Sequence, residues 1–302
     1  MWIPLSLAVL GLAVAGIGAA RCMMQHRLDQ KNKAIVNDLL TAAASVPTRT
    51  FRSSDCNDLP APIRRYLRHV LQEGQPCVQT VRIEQSGTFR SGGAASPWNS
   101  FTATQHVTTR PPGFVWTAAI DLFPWIRVRV VDAYRDGRGL LQAKLGGVLS
   151  VANPAPRPAL DERELMRYLA EAPLYPTALL PEMGVTWTAV NDRSARATLT
   201  HRGTTASLVF HVNDQNEVER VTGKRPFLKD DGTTELRPWK GTWRNYERRM
   251  GMRVPTDGEV AWIYPEGEVS YWRGHMDCLT YRTAPPSGHS SRPYTPRREA
   301  AV

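Results

Sequence analysis

A helical segment in the middle of a strand-rich sequence is the feature that most constrains this fold. Asp161 can cap a helix, Glu164 can reach back to it, and Pro173 can end it, so a helix is predicted within residues 160–181. Its apolar face consists of Leu165, Met166, Leu169 and Ala170. The segment divides the rest of the chain into two strand-rich halves.

Alternating apolar residues predict strands on both sides of this segment. Val81 and Ile83 alternate with charged residues before it, and turn sequences such as Asn191-Asp192 and Asp257-Gly258 separate similar runs after it. Counting such turns gives about ten or eleven strands, which is too many for a flat sheet. We therefore predict an α+β fold, in which a strongly curved, half-barrel-like antiparallel sheet carries the central helices on its concave side.

The ends of the chain differ in composition from this central part. Residues 3–20 are apolar or small without interruption, so we predict a transmembrane anchor at 1–20. A juxtamembrane helix and linker at 21–58, a single α+β domain at 59–283 and a disordered tail at 284–302 follow. Basic residues flank the predicted span on its C-terminal side, which favours a domain in the cytoplasm.

Charge and motifs exclude several classes of function and identify none. The 302 residues carry a formal net charge of +10, and a basic surface attracts anionic lipid, acidic polymers and nucleic acid alike. Cys56 and Cys77 flank a predicted helix and would be able to pair in an oxidising compartment, but the four cysteines show no zinc-site spacing. No histidine motif, P-loop or dinucleotide fingerprint occurs. We therefore predict no cofactor and no metal site.

Several short motifs, in order along the chain, resemble a bacterial family of unknown function whose members commonly carry an N-terminal membrane segment. The motifs are Leu59-Pro60-x-Pro62-x-x-Arg65-Tyr66-Leu67, Arg167-Tyr168-Leu169-Ala170-Glu171, Tyr175-Pro176, Pro238-Trp239, Val260-Ala261-Trp262 and Tyr271-Trp272-Arg273-Gly274. This resemblance implies a single-pass protein of the bacterial inner membrane and supplies no catalytic residues. The order of strands and helices is also similar to that of bacterial lipoprotein carriers, which would favour a periplasmic domain.

The central helix and the tryptophans supply the candidate ligand-binding residues. Glu164, Arg167 and Glu171 are spaced to form an intrahelical ion network, and the alternative is that Glu171 lies at the mouth of the concave side, where burial would raise its pKa for acid or base chemistry. Tryptophans on a curved sheet either fill a core or line an apolar cavity. The candidates are Trp116, Tyr168, Glu171, Trp187, Trp262 and Trp272.

A second candidate surface is a basic row on one predicted strand. Trp239 and Trp243 should point to one face of this strand. Lys240, Arg244 and Arg248 should point to the other. This row is interpreted as a solvated outer face, a seat for lipid headgroups or a nucleic-acid track. The last lacks exposed aromatic residues on the same face, so no nucleic-acid partner is expected.

Three functions follow, in decreasing order of support. The first is a membrane-tethered, non-enzymatic binding module that holds an apolar or amphipathic ligand, such as a lipid, between sheet and helices. The second is a structural or interaction protein that docks on anionic lipid or an envelope protein through the basic row. The third is a hydrolase that uses Glu171 together with a histidine. The expected partner in the first two is a membrane.

Overall fold

A computed structural model describes residues 3–43, 49–229 and 231–283, and it describes side chains from residue 23 onward. The predicted tail at 284–302 lies outside the described residues. The chain contains three α-helices, α1 (Ile3–Ala43), α2 (Ala61–Val70) and α3 (Pro158–Ala170). Short 3-10 helices lie at Ser53–Cys56, Ala172–Leu174, Pro176–Leu179 and Pro181–Met183.

Thirteen strands form one sheet in which every neighbouring pair is antiparallel. The strands are β1 (Thr80–Phe89), β2 (Asn99–Thr109), β3 (Pro112–Phe123), β4 (Ile126–Arg135), β5 (Arg138–Leu145), β6 (Leu149–Ala152), β7 (Val185–Asn191), β8 (Ser194–His201), β9 (Thr204–Val212), β10 (Val218–Leu228), β11 (Thr234–Arg249), β12 (Met252–Tyr264) and β13 (Gly267–Arg282). Their order is β6-β5-β4-β3-β2-β1-β13-β12-β11-β10-β9-β8-β7. Two meanders therefore join at the β1–β13 pair, and the helical segment connects the two outer strands.

The α+β class and the antiparallel half-barrel are confirmed, but the predicted strand count of ten or eleven is wrong. Gly146-Gly147 was expected to bend one long strand, whereas positive φ angles there close a hairpin that makes β6 a separate strand. A second tight turn at Met250-Gly251 begins β12 earlier than predicted, so Asp257-Gly258 lies inside a strand and forms no turn.

The contacts of α3 show how strongly the sheet curls. This helix contacts β9 and β10 on one side and β3, β4 and β5 on the other. In a flat sheet, β5 and β9 would lie about 43 Å apart at a spacing of about 4.8 Å per strand, whereas a helix is only about 10–12 Å wide. The sheet must therefore wrap around α3, which places the helix on the concave side.

At one end the two meanders almost meet. The Tyr134 hydroxyl of β4 lies 3.1 Å from Nδ1 of His201 at the end of β8. Asp136 and Arg202, in the two adjoining turns, form an ion pair of 3.2 Å. We call this the closed end of the half-barrel.

The hydrophobic core packs α2, α3 and the 3-10 segment against the sheet, and we call this region the filled end of the half-barrel. Ile63 and Leu67 of α2, Leu165 and Leu169 of α3, and Tyr175 of the 3-10 segment are all inaccessible to solvent. The Tyr175 hydroxyl donates to the backbone oxygen of residue 168 at 2.7 Å, which ties the 3-10 segment to the helix before it. Most of the burial that stabilises the fold therefore lies between the helices and the concave face of the sheet.

Helix α3 begins earlier than the sequence predicts. Pro158 occupies its first turn, where a missing backbone N–H costs nothing. Asp161 therefore lies within the helix, and its buried carboxylate accepts hydrogen bonds from the Gly139 backbone N–H at 2.7 Å and from Arg138 at 3.2 Å. The predicted cap is in fact a bond between α3 and β5.

The prediction of a single-pass membrane protein is wrong, because within the described part of the chain no helix is both long and apolar enough to cross a bilayer. The predicted span, 1–20, falls on residues whose side chains lie outside the description. From residue 23 onward, α1 lies against the outer face of the sheet. Leu39 packs there with Val115, Val131 and Ala133, and Arg129 pairs with Asp29 at 3.4 Å.

Candidate functional site: a cavity with one polar wall

Beyond the filled end, the concave side of the sheet is hollow. A cavity of about 590 Å³ lies between α3 and the inner faces of β1, β3 to β6 and β10 to β13. Its apolar lining includes Phe89, Trp116, Ile120, Leu122, Val128, Val130, Leu141, Leu145, Val151, Trp239, Trp243, Val260, Tyr271 and Trp272. The volume lies within the range of about 300–1,000 Å³ that is usual for small-molecule sites.

The alternation of each strand determines which residues line the cavity. On β4, Val128, Val130 and Asp132 face inward. Val131 and Ala133 face α1 on the other side. On β11, Trp239 and Trp243 face inward in the same way, as the sequence predicts.

Gly258 makes room for two of the aromatic walls. A Cβ atom at this position would lie 2.8 Å from the Trp243 ring and 3.1 Å from the Trp272 ring, closer than carbon atoms normally approach. The absence of a side chain lets both rings pack over β12. The strand therefore contributes backbone to the cavity wall at this point.

Charged side chains are concentrated on the wall formed by α3, β4 and β10. Arg167 donates to Asp132 at 2.5 Å and to Glu171 at 2.8 Å. Its guanidinium also lies 4.9 Å from the ring centroids of both Phe114 and Trp116. Two carboxylates and two aromatic faces therefore hold one buried cation in a fixed position.

A chain of hydrogen bonds extends from Glu171 into the sheet. Gln105 donates to the second carboxylate oxygen of Glu171 at 2.6 Å. Gln85 lies behind Gln105 and accepts a bond from the Trp116 indole N–H at 2.8 Å. Both oxygens of Glu171 therefore accept hydrogen bonds, so this carboxylate is held as an acceptor and is not presented as a proton donor.

Glu164 is the most deeply buried acid of this wall. Its carboxylate lies 3.2 Å from Nε of Arg163 and 3.9 Å from the Arg225 guanidinium, and neither of its oxygens has a hydrogen-bond partner among the described residues. Burial, together with the nearby charge of Asp132, raises the pKa of the Glu164 carboxyl to about 8. This residue therefore takes up a proton far more readily than an exposed glutamate does.

Arg225 is fixed by its surroundings. It donates to the Tyr271 hydroxyl at 3.1 Å and to the backbone oxygen of Arg163 at 3.2 Å, and its guanidinium lies 5.3 Å from the centroid of the Trp239 ring. The Trp239 indole N–H also donates to the Tyr271 hydroxyl, at 2.9 Å. These contacts link the polar wall to the aromatic wall opposite.

A family model with the description "family of unknown function" (DUF6920) matches residues 57–281. The chain belongs to this family. The match covers the whole sheet and α2 and α3, so the fold and cavity described above are those of the family's domain in this chain. No curated protein matches the sequence.

Two solved structures resemble this DUF6920 chain. One is a LolA superfamily protein from Nitrosomonas europaea, with 12% identity and a TM-score of 0.38, covering 74% of this chain and 94% of that chain. The other is a beta-barrel-like protein of a domain of unknown function (DUF1849) from Brucella abortus, with 11% identity and a TM-score of 0.17, covering 68% and 99%. The predicted family of unknown function is confirmed.

The structure brings three of the six predicted ligand-binding residues to the cavity. Trp116, Glu171 and Trp272 line it. Trp262 lies one layer behind, stacked on Tyr271 with ring centroids 5.8 Å apart.

The other two predicted residues lie away from the cavity lining. Tyr168 is buried against Tyr175. Trp187 packs against Phe210, and its indole N–H donates to the backbone oxygen of Leu179 at 3.0 Å.

The predicted basic row lies on the outer face of β11, but two of its three members have acidic partners. Lys240 pairs with Glu268, and Arg244 lies 3.4 Å from Glu259. Arg248 is exposed, and its register partner across the strands is Arg253. Docking of this face on anionic lipid or on an envelope protein stays a prediction.

Sequence reasoning missed Asp132, Arg163 and Arg225. These residues come from β4, α3 and β10, and only the curl of the sheet brings them together. For Asp132 the visible signal was a charge next to apolar residues, in Val130-Val131-Asp132, whereas Arg163 and Arg225 carry no such signal.

The described residues contain no group of three or more His, Cys, Asp or Glu side chains that could hold a metal ion. The lining of the cavity, in this part of the chain, includes no histidine beside Glu171. The lining offers aromatic and aliphatic surface on most sides and fixed charges on one.

Proposed function

We propose that this chain is a binding module that holds an apolar or amphipathic ligand, such as a lipid, in the cavity on the concave side of the sheet. The observation that carries this proposal is the cavity itself, about 590 Å³ in volume, with mainly apolar walls and one charged wall. Large apolar pockets with a few convergent polar groups are typical of small-molecule sites. Trp116, Trp272 and Glu171 would contact the ligand directly, and Trp262 would support it through Tyr271.

The energetic cost of an empty cavity supports an occupant. At about 24 cal/mol per Å³, a dry void of 590 Å³ would cost on the order of 14 kcal/mol. Folded domains are stable by only about 5–15 kcal/mol in total. A hollow of this size is therefore sustained only if solvent or a ligand fills it, and apolar walls favour a ligand with apolar surface.

Native mass spectrometry of the full chain after gentle purification tests the proposal. We expect an additional mass that organic extraction identifies as an apolar or amphipathic compound. Leu141→Trp, which places a large ring in the cavity, should lose this mass and keep its circular dichroism spectrum. Val190→Trp, on the exposed outer strand β7, is the matched control and should retain the mass. A wild-type protein that carries no ligand and binds no added lipid would contradict the proposal.

An exposed apolar surface beside the cavity mouth supports a lipid phase as the source of the ligand. The β3–β4 turn exposes Phe123 (66%) and Trp125 (92%), and the β5–β6 turn exposes Leu149 (63%). The Gly146 backbone N–H donates to the Arg127 backbone oxygen at 2.8 Å, so the two turns lie side by side. We call Phe123, Trp125, Ile126, Val148 and Leu149 the rim patch.

The rim patch suits peripheral contact with a lipid surface. Leu122 and Leu145, in the same two hairpins, line the cavity, so apolar surface continues from the patch into the interior. Exposed tryptophan beside arginine, here Trp125 near Arg127, is the combination that favours the membrane–water interface. A ligand could then pass from a lipid surface into the cavity along a continuous apolar path.

Vesicle co-sedimentation tests this route. The double variant Phe123→Ser, Trp125→Ser should bind anionic vesicles less than the wild type does, because the apolar contact with the bilayer is reduced. Val190→Ser, which removes an apolar side chain that is 50% exposed on the edge strand β7, outside the rim patch, should bind as the wild type does. Equal binding by all three proteins would remove the rim patch from the mechanism and leave the cavity proposal standing.

A further inference from the structure

We propose that Arg163 binds the anionic head group of the cavity ligand, and that this ligand is a long-chain carboxylate. The inference rests on the proposed function and names the class of its ligand. It depends on how the charges of the polar wall are distributed, since the three arginines of that wall have very different numbers of partners.

Arg163 is an arginine with unused hydrogen-bonding capacity. Its side chain lines the cavity and is 25% exposed. Within the described residues its guanidinium donates no hydrogen bond, and the nearest carboxylate oxygen, on Glu164, lies 3.2 Å from Nε without the geometry of a bond. A guanidinium has five N–H donors in a planar fork that matches a carboxylate. Arg163 therefore presents an unfilled anion-binding group at the cavity wall.

Arg167 provides the contrast. Two carboxylates, Asp132 and Glu171, already hold it through hydrogen bonds of 2.5 Å and 2.8 Å. An added anion would meet two negative charges there. The head group of an anionic ligand is therefore directed away from Arg167 and toward Arg163.

Arg225 strengthens the attraction at Arg163. Its guanidinium donates to the backbone oxygen of Arg163 at 3.2 Å, and the Arg225 side chain is only 5% exposed. The Glu164 carboxylate lies within 3.9 Å of both guanidinium groups. Glu164 is the single carboxylate between them. Within ion-pair distance these two guanidinium groups share the Glu164 carboxylate, since Asp132 and Glu171 are held by Arg167, so one further carboxylate would pair with Arg163.

The rest of the cavity accounts for the long chain. From Arg163 the lining continues over Val130, Leu141 and Leu145 toward the mouth. These side chains offer no donors or acceptors, so they suit an alkyl chain. A carboxylate and a phosphate monoester would be recognised by the same guanidinium chemistry, and the ligands used in the test separate them.

Isothermal titration calorimetry of the full chain with dodecanoate, dodecanol, dodecyl phosphate and inorganic phosphate tests the inference. Dodecanoate should bind on the order of ten- to a hundredfold more tightly than dodecanol, because it adds charge-assisted hydrogen bonds. In Arg163→Met, which keeps the apolar stem and removes the donors, dodecanoate should bind no better than dodecanol. Arg220→Met, an exposed position on the same strand as Arg225, should keep the full preference.

The outcomes separate the inference from the proposed function. If dodecanoate and dodecanol bind the wild type equally, the head-group site is wrong and the apolar cavity stands. If none of the amphiphiles binds, both proposals fail. If dodecyl phosphate binds more tightly than dodecanoate, the proposal that the head group is a carboxylate is wrong. If inorganic phosphate binds as tightly as either amphiphile, the proposal that the ligand has a long chain is wrong. Should Arg163→Met not fold, Arg163→Lys must retain a preference for dodecanoate, and loss of that preference without loss of dodecanol binding would overturn a role for charge.

Discussion

Removal of the Arg167 guanidinium should destabilise the whole domain. Arg167→Met keeps the apolar part of the side chain, so packing changes little, but Asp132 and Glu171 lose the cation that lies 2.5 Å and 2.8 Å away. Their side chains are only 9% and 18% exposed, so water can replace only part of the lost bonding. Removal of one partner of a buried ion pair lowers the free energy of unfolding by about 3–5 kcal/mol.

Thermal unfolding followed by circular dichroism measures this effect. For a domain of this size, each kcal/mol lowers Tm by about 2–4 °C, so a loss of about 3–5 kcal/mol corresponds to roughly 6–20 °C. Arg193→Met is the matched control, because Arg193 and Asp214 form an ion pair of 2.7 Å with both side chains more than two-thirds exposed. Such an exposed pair contributes only about 0–1 kcal/mol.

A double variant distinguishes the physical cause. If the cost arises from uncompensated buried carboxylates, adding Asp132→Asn to Arg167→Met should restore part of the lost stability. If Arg167→Met instead lowers Tm no more than Arg193→Met does, the polar wall does not behave as a buried, coupled network. A further fall in Tm on adding Asp132→Asn would show that packing, and not charge, holds the wall together.

Three further predictions follow from burial and charge. Glu164 faces Arg163, Arg167, Arg225 and Asp132, and its raised pKa means that the folded chain holds a proton that the unfolded chain releases near pH 4.3. This contribution to stability should be complete below about pH 4.3 and lost as the pH rises to about 8. In urea titrations at a series of pH values, Glu164→Gln should reduce the dependence of the free energy of unfolding on pH. Leu165→Ala, at the filled end, should lower the free energy of unfolding in urea by about 2–5 kcal/mol. Leu141→Ala, at the cavity wall, should lower it clearly less, because the Leu141 side chain already borders a void. Equal losses would contradict the division between a filled and a hollow end. Cys56 and Cys77 are free thiols, and burial raises the pKa of both to about 11. In a Cys22→Ser variant, the exposed Cys278 should therefore react with Ellman's reagent at once, and Cys56 and Cys77 should react only on unfolding. Fast reaction of all three thiols would contradict the packing around α2.

The architecture could be predicted from the sequence because its signals are local. Period-two alternation identified most strands, and the proline-bounded segment around α3 identified the helices. Trp239 and Trp243 face inward while Arg244 faces outward, as alternation requires. Local reasoning failed at Asp257-Gly258, an apparent turn that lies within β12. There the glycine serves the packing of two tryptophan rings, and tertiary contact overrides turn propensity.

The polar wall could be predicted only within a single helix. The spacing of Arg167 and Glu171 indicated their ion pair, and the pair exists. The residues around this pair could not be predicted, because Asp132 and Arg225 come from strands of opposite meanders. Glu164 illustrates the limit most clearly. Helical spacing assigned it to an ion network and to a cap, yet it is fully buried between two arginines of different elements.

The cavity exists because the curled sheet encloses more space than the helices fill. A curled sheet of thirteen strands encloses more space than a helix of thirteen residues, about 20 Å long, can fill. The chain adds α2 and the 3-10 turns at the filled end only, and the cavity between α3 and the inner faces of β1, β3 to β6 and β10 to β13 remains open. Most of the apolar burial that stabilises the fold therefore lies outside the cavity, whereas Asp132, Arg167 and Glu171 both stabilise the domain and form the charged wall of the site. We therefore expect substitutions of the apolar lining residues of β4 and β5 to cost less stability than substitutions in the polar wall.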